Sequence, residues 1–264
     1  MNRSTVKSFG DMLRRWRTQR GLSQMALSLK AETSPRHLSF LETGRARPSA
    51  TMVKRLCDAL ELSFREYNVM LSAAGFAPLF SATPLDDAAM KDIQKAIRRL
   101  LDNHEPFPAL VLDPSWEVVD ANRSFDRLMA ALDLPDGRPF NLLRHLFAQD
   151  KLRPFIENWQ VTGSMVLDRA RNEYARHGDG RLKDIIDEIL TYPNVPDQWH
   201  GAPAELPQSP VAAFVMVTDQ HRLSWFSTVT TFGTPQDITT EELRIESLFP
   251  MDAKTDAFVQ NLLS

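Results

Sequence analysis

Gly21-Leu22-Ser23-Gln24-Met25-Ala26-Leu27-Ser28-Leu29-Lys30-Ala31-Glu32-Thr33-Ser34-Pro35-Arg36-His37-Leu38-Ser39-Phe40-Leu41-Glu42 reads as two short helices joined by a tight turn. Ser23 is placed to cap the first, its hydroxyl accepting from the free amides of the opening turn. Leu27 and Ala31 stand four apart on one face, and Leu38 and Leu41 stand three apart on the next helix. Ser34 caps that second helix. Pro35 takes its first position, where proline's missing N–H costs nothing. Arg36, His37, Ser39 and Phe40 are left near an exposed N-terminal end.

Upstream, Phe9, Leu13 and Trp16 form an apolar stripe flanked by Arg14, Arg15 and Arg17, and Gly21 ends that helix as a C′ glycine. Downstream, residues 43–48 form a loop with two guanidinium groups. Ser49 then opens a helix with Val53, Leu56, Cys57 and Leu60 at i, i+3, i+4 and i+7. Ser63-x-x-Glu66 is a capping box for a fifth helix carrying Tyr67, Met70, Leu71 and Ala74. Two helices joined in this way form the helix-turn-helix, whose second helix enters a DNA major groove. Arg36 is the first candidate for base contact, because a guanidinium can bond guanine O6 and N7 together. His37 and Ser39 follow, Thr33 and Phe40 suit a thymine methyl, and the cap Ser34 is counted with these DNA-facing residues. Gln24, at the start of the preceding helix, and Arg45 and Arg47 on the loop are candidates for phosphate. Glu42 reads instead as an internal partner for a nearby arginine.

Charge divides the same way. Residues 1–76 hold 13 Lys and Arg against 6 Asp and Glu, whereas residues 77–264 hold 18 against 28, so the net −3 hides a basic N-terminal part. The length suits two domains, each able to bury a core. Cys57 is the single cysteine, so an intrachain disulfide is excluded and its spacing makes it a core residue. The chain has no apolar leader and no run of 18 apolar residues, which points to a cytoplasmic protein without a membrane partner. The six histidines show no metal-ligand spacing, and the nucleophile-elbow, P-loop and dinucleotide motifs are missing. Neither an enzyme nor a metal protein is expected.

Beyond a linker at 79–87, Met90, Ile93, Ile97, Leu100 and Leu101 mark a helix. It suits packing on its own domain about as well as a dimer contact. Residues 109–112 and 116–119 read as a hairpin around Asp113-Pro114-Ser115, and Asn122 caps a helix with Phe125, Leu128 and Met129. A long helix is expected from Pro154 to about His177, and a second over 182–190. Prolines at 193, 196, 203, 207 and 210 mark a loop. Strands follow at 211–217, 223–232 and 243–249, then a terminal helix at 253–262.

Ser23-Gln24, Ala31, Ser34, Leu41-Glu42 and Gly44-x-x-x-Pro48-Ser49 resemble the lambda-repressor/Cro-like (XRE) helix-turn-helix family. The run from Ser34 to Ser49, with residues 73–78, is similar to its MmyB-like branch, and residues 223–235 and 243–250 resemble that branch's ligand-binding domain. The chain departs from the pattern at Ser28, Glu32 and Thr33. Glu32 stands where a turn glycine is usual, which costs about 1 kcal/mol at positive φ. The resemblance implies an all-α five-helix domain over 1–78, a linker and connecting helix over 79–104, and an α+β PAS-like domain over 105–264 with an antiparallel sheet. It implies a transcription regulator with an operator and a homodimeric partner. No cofactor is implied beyond a small, apolar, fatty-acid-like effector. His145, Arg144 or Arg153 would meet its carboxylate, and Phe125, Phe147, Phe155, Trp159, Phe214, Met216 and Trp225 its tail. The alternative is a C-terminal domain that serves dimerisation or partner docking without a ligand.

Overall fold

Serine begins every helix of the N-terminal region. Ser8, Ser23, Ser34, Ser49 and Ser63 cap α1 (Phe9–Gln19), α2 (Gln24–Lys30), α3 (Pro35–Glu42), α4 (Ala50–Ala59) and α5 (Phe64–Ala73), each accepting from a first-turn amide. The structure is a computed structural model that describes residues 8–132, 137–193, 195–196, 199, 211–218 and 220–262. The start of the chain and most of the proline-rich loop, with Pro203, Pro207 and Pro210, lie outside the described residues. Two compact units divide the chain. One runs to Ala82 and takes in Ala175–His177 and Gln236–Glu241, and the other takes the remainder from Thr83.

In the first unit the apolar stripes converge on one core of Leu13, Leu27, Leu38, Leu41, Val53, Leu56, Cys57, Leu60 and Met70. Burial pushes the Cys57 thiol up to about 12, so it stays protonated and inert. Helix α1 crosses the end of α3 at Gly10, where a Cβ would stand 2.5 Å from the Glu42 carbonyl oxygen. Glu32 occupies the turn between α2 and α3 at φ +50°. Glu32→Gly is expected to stabilise this unit by about 0.5–1 kcal/mol, read as a higher urea midpoint. Its ion pair to Arg55, 3.7 Å long and exposed at both ends, offsets little of that gain.

The second unit is built on an antiparallel six-stranded sheet. Its strands are β1 (Ala109–Leu112), β2 (Glu117–Ala121), β3 (Phe140–Asn141), β4 (Phe214–Val217), β5 (Arg222–Thr230) and β6 (Arg244–Pro250), in the order β3-β2-β1-β6-β5-β4. The two-residue alternation of β1 sends Ala109 and Val111 to one face and Leu110 and Leu112 to the other. Helix α6 (Lys91–Asn103) covers the first face with Ile97 and Leu101, so its stripe packs within its own unit. The opposite face carries α7 (Arg123–Ala131), α8 (Leu142–Phe147), α9 (Trp159–His177), α10 (Gly180–Ile189) and α12 (Ala253–Leu262) over the main core, while α11 (Ile238–Glu242) precedes β6. Asn122 joins these layers. It accepts from the amides of Phe125 and Ala109 and donates to the carbonyls of Leu101 and Phe107.

Helix α9 begins at Trp159 rather than at the expected Pro154. Residues 153–155 make one 3-10 turn, after which Ile156 bridges Met216 and the Glu157 amide donates to the Val215 carbonyl at 2.8 Å. The chain there runs along the sheet edge before it can coil. Residues 142–147, apolar and unassigned from sequence, form α8 under the Asn141 cap.

Candidate functional site

The leading turn of α3 faces outward. Ser34 and Arg36 are exposed, Thr33, His37, Ser39 and Phe40 are half-buried, and Leu38 and Leu41 point into the core. The Arg36 guanidinium lies 5.4 Å over the Phe40 ring, which braces the charge without neutralising it. Gly44, at φ +71°, turns the chain after α3 into a loop on which Arg45 and Arg47 are exposed.

Glu42 holds this helix from behind. It accepts from Arg17 Nε at 2.6 Å and Nη2 at 3.1 Å, and from Gln24 Nε2 at 2.8 Å, while Arg17 Nη1 donates to the Leu22 carbonyl. Burial pushes the Glu42 carboxyl up, but the hydrogen bonds from Arg17 and Gln24 and the charges of Arg17 and Arg14 more than offset this, and it titrates below the usual range. Gln24 therefore has its side-chain amide committed to α3, and what remains for phosphate there is the helix start. The Ser39 backbone carbonyl accepts from the Thr43 hydroxyl at 2.8 Å, a bond that closes the end of α3 without engaging the Ser39 side chain.

In the second unit a cavity of about 410 Å³ lies between the sheet and its helices, within the range of small-molecule sites. Leu110, Phe214, Met216 and Leu248 line it from the sheet, Phe125, Leu128 and Met129 from α7, Leu142 and Leu146 from α8, and Met165 and Val166 from α9. Thr162, Ser227, Arg169, Glu246 and Trp116 supply the polar part.

That part is a compact charge cluster around one indole. Arg169 donates through Nε to Glu173 at 3.1 Å and through Nη1 to both Glu246 oxygens at 3.1 Å. Arg244 pairs with Glu173 and donates to the Asp113 carbonyl at 2.8 Å. Trp116 gives its indole N–H to Glu173 at 2.6 Å, with the guanidinium carbons of Arg169 and Arg244 4.7 and 5.6 Å from its ring centre. Burial works against the charge on Arg169, but Glu246 and Glu173 outweigh it, and its pKa is raised. Trp116 itself sits at φ +67°, a left-handed conformation that a bulky residue keeps only when its surroundings enforce it. Asp113 does so, its carboxylate accepting from the Ser115 amide and hydroxyl and from the Glu117 amide.

Of the residues selected from sequence for a ligand, Phe125, Phe214 and Met216 stand in the cavity wall. Phe147, Trp159 and Trp225 are buried in the surrounding core, and Phe155 packs against it. The three expected head-group residues lie elsewhere. Arg144 is tied to Glu188 by three hydrogen bonds, His145 to the Asn141 carbonyl at 3.0 Å, and Arg153 lies 4.5 Å over the Trp159 ring. Burial lowers the pKa of both His145 and Arg153. Nothing in the sequence singles out Arg169, Glu246, Ser227 or Trp116. Arg169 and Glu173 show there only as an i, i+4 pair, a pattern that usually marks a solvated helix face.

Comparison with known proteins bears on both regions. Residues 8–66 match the family model of a helix-turn-helix domain, and residues 93–262 match that of the MmyB-like transcription regulator ligand binding domain. Among solved structures, the chain is similar to the clp gene regulator ClgR from Corynebacterium glutamicum at 28% identity. That match covers 38% of this chain and 94% of that chain, with a TM-score of 0.23. No curated protein matches the chain.

Proposed function

Because the chain belongs to the MmyB-like transcription regulators, we propose that it binds a pseudo-palindromic operator as a homodimer through its first 76 residues, and that a small apolar effector in the cavity changes its affinity for that operator. The observation that carries the reading is the outward leading turn of α3, with Arg36 exposed at its start while Leu38 and Leu41 anchor it from behind. Arg36 reads base edges, and Arg45 and Arg47 hold phosphates. The cavity and its apolar wall support the effector. Coupling requires that the effector bind two states of the regulator unequally, typically by about 1–3 kcal/mol.

Gel-shift titration on an operator selected from random duplexes tests this. Arg36→Ala is expected to lose about ten- to hundredfold in affinity and to relax preference at one base position. Arg45→Ala and Arg47→Ala should weaken all duplexes alike and each lower the salt slope by about one. Unchanged affinity and preference in Arg36→Ala would remove α3 from this role.

A further inference from the structure

Helix α3 carries an aromatic side chain that the core of its unit does not use. With 3.6 residues to a turn, Leu38 and Leu41 stand about 140–200° round the helix from Arg36, whereas Phe40 stands only about 40° from it. The structure follows this arithmetic. Leu38 and Leu41 are buried in the core of the first unit, and Phe40 lies outside that core, half-buried. Its ring shares the outward face with Arg36, whose guanidinium carbon is 5.4 Å from the ring centre. A large apolar ring left partly in water contributes little to folding. It contributes to binding when a second apolar group covers it.

The 5.4 Å separation limits what the pair can span. Successive base pairs rise about 3.4 Å along a duplex, so guanidinium and ring fit over two neighbouring pairs and fall short of a third. In the major groove a guanidinium takes both guanine acceptors, O6 and N7. The cytosine paired with that guanine has no methyl group, so an apolar partner for the ring must come from the next pair. The apolar group that the major groove offers is the C5-methyl of thymine. We infer that Arg36 and Phe40 read one two-base-pair step together: the guanidinium holds a guanine, and a thymine on the neighbouring pair rests its methyl group on the Phe40 ring. This rests on α3 being the helix that enters the groove, and it makes Phe40 a specificity-determining residue beside Arg36. The ring also holds the arginine in place, so the guanidinium has fewer rotamers to lose when it meets guanine.

The test uses the full chain and a duplex selected from random sequence. Deoxyuridine replaces each thymine of one half-site in turn, which removes a methyl group and leaves every hydrogen-bonding edge unchanged. At the thymine beside the guanine whose preference Arg36→Ala relaxes, uracil should weaken binding of the native chain about threefold to fivefold, the effect of one buried methyl group. Phe40→Ala should bind the thymine and uracil duplexes alike, with the salt slope of the native chain because no charge is lost, and circular dichroism confirms its fold. A native chain indifferent to uracil there would overturn the paired reading, while an Arg36-dependent guanine preference would keep α3 in the groove. So would a selected half-site with no thymine on either strand beside that guanine. A methyl effect that survives in Phe40→Ala would also overturn it, since Thr33 or another side chain would then meet the methyl. A Phe40-dependent effect two or more pairs from the guanine would do the same. No selected duplex, or no guanine preference that depends on Arg36, would overturn both this inference and the role of α3.

Discussion

Glu42→Ala is expected to cost the N-terminal unit about 3–5 kcal/mol, a large share of the 5–15 kcal/mol that holds a domain folded. The cost comes from what stays behind. The side chain of Arg17 is only 13% exposed and that of Glu42 3%, so alanine leaves a guanidinium buried with its anion gone. It also leaves Gln24 without its acceptor and loosens the end of α3 where Gly10 of α1 approaches closely. Amide hydrogen exchange on the full chain reads this directly, as lost protection across α1 and α3 with the second unit's amides as internal reference. Arg17→Met combined with Glu42→Leu, which removes both charges and restores volume, should recover most of the loss. The pH dependence follows from sign. Glu42 titrates lower folded than unfolded, so its contribution is complete above the ordinary glutamate value of about 4.3 and is lost as pH falls through the lower folded value. In Glu42→Ala that acid sensitivity should be reduced.

Trp116→Ala is expected to destabilise the second unit by a similar amount, about 3–5 kcal/mol. The side chain is 1% exposed, and its loss strips Glu173 of a donor and Arg169 and Arg244 of the ring they rest on. Alanine does not relieve the backbone, since a Cβ is still forced to φ +67°. Trp116→Gly separates the two terms. It loses the same indole but adopts that conformation freely, so it should be less destabilised than Trp116→Ala by about 1 kcal/mol. Urea unfolding followed by near-ultraviolet circular dichroism measures both. Equal midpoints for alanine and glycine would show that the turn carries no strain.

The N-terminal unit was legible because its signals are local. A serine one residue ahead of each helix, proline at the first position of α3, and apolar residues at helical spacing determine each element within a few residues of itself. In the second unit the alternating strands could be read, yet the start of α9 could not. Ile156 is held extended by Met216, sixty residues away, and nothing near Pro154 announces it. The polar end of the cavity was hidden for the same reason. Reading for a carboxylate partner favours lone cations such as Arg153 and His145, whereas the cation in the wall already has acidic partners, one of them 77 residues along the chain. An arginine followed four residues later by a glutamate looks like surface decoration until the strand bearing Glu246 closes over it.

Four residues of β1 belong to two cores at once. Leu110 borders the cavity while its neighbours Ala109 and Val111 lie among the residues gathered by α6. Such a strand acts as a partition with no slack, since consecutive side chains on opposite faces share one stiff backbone. Whatever swells or empties the chamber on one side must press on the layer behind it, and the protein needs no separate lever to make that pressure felt.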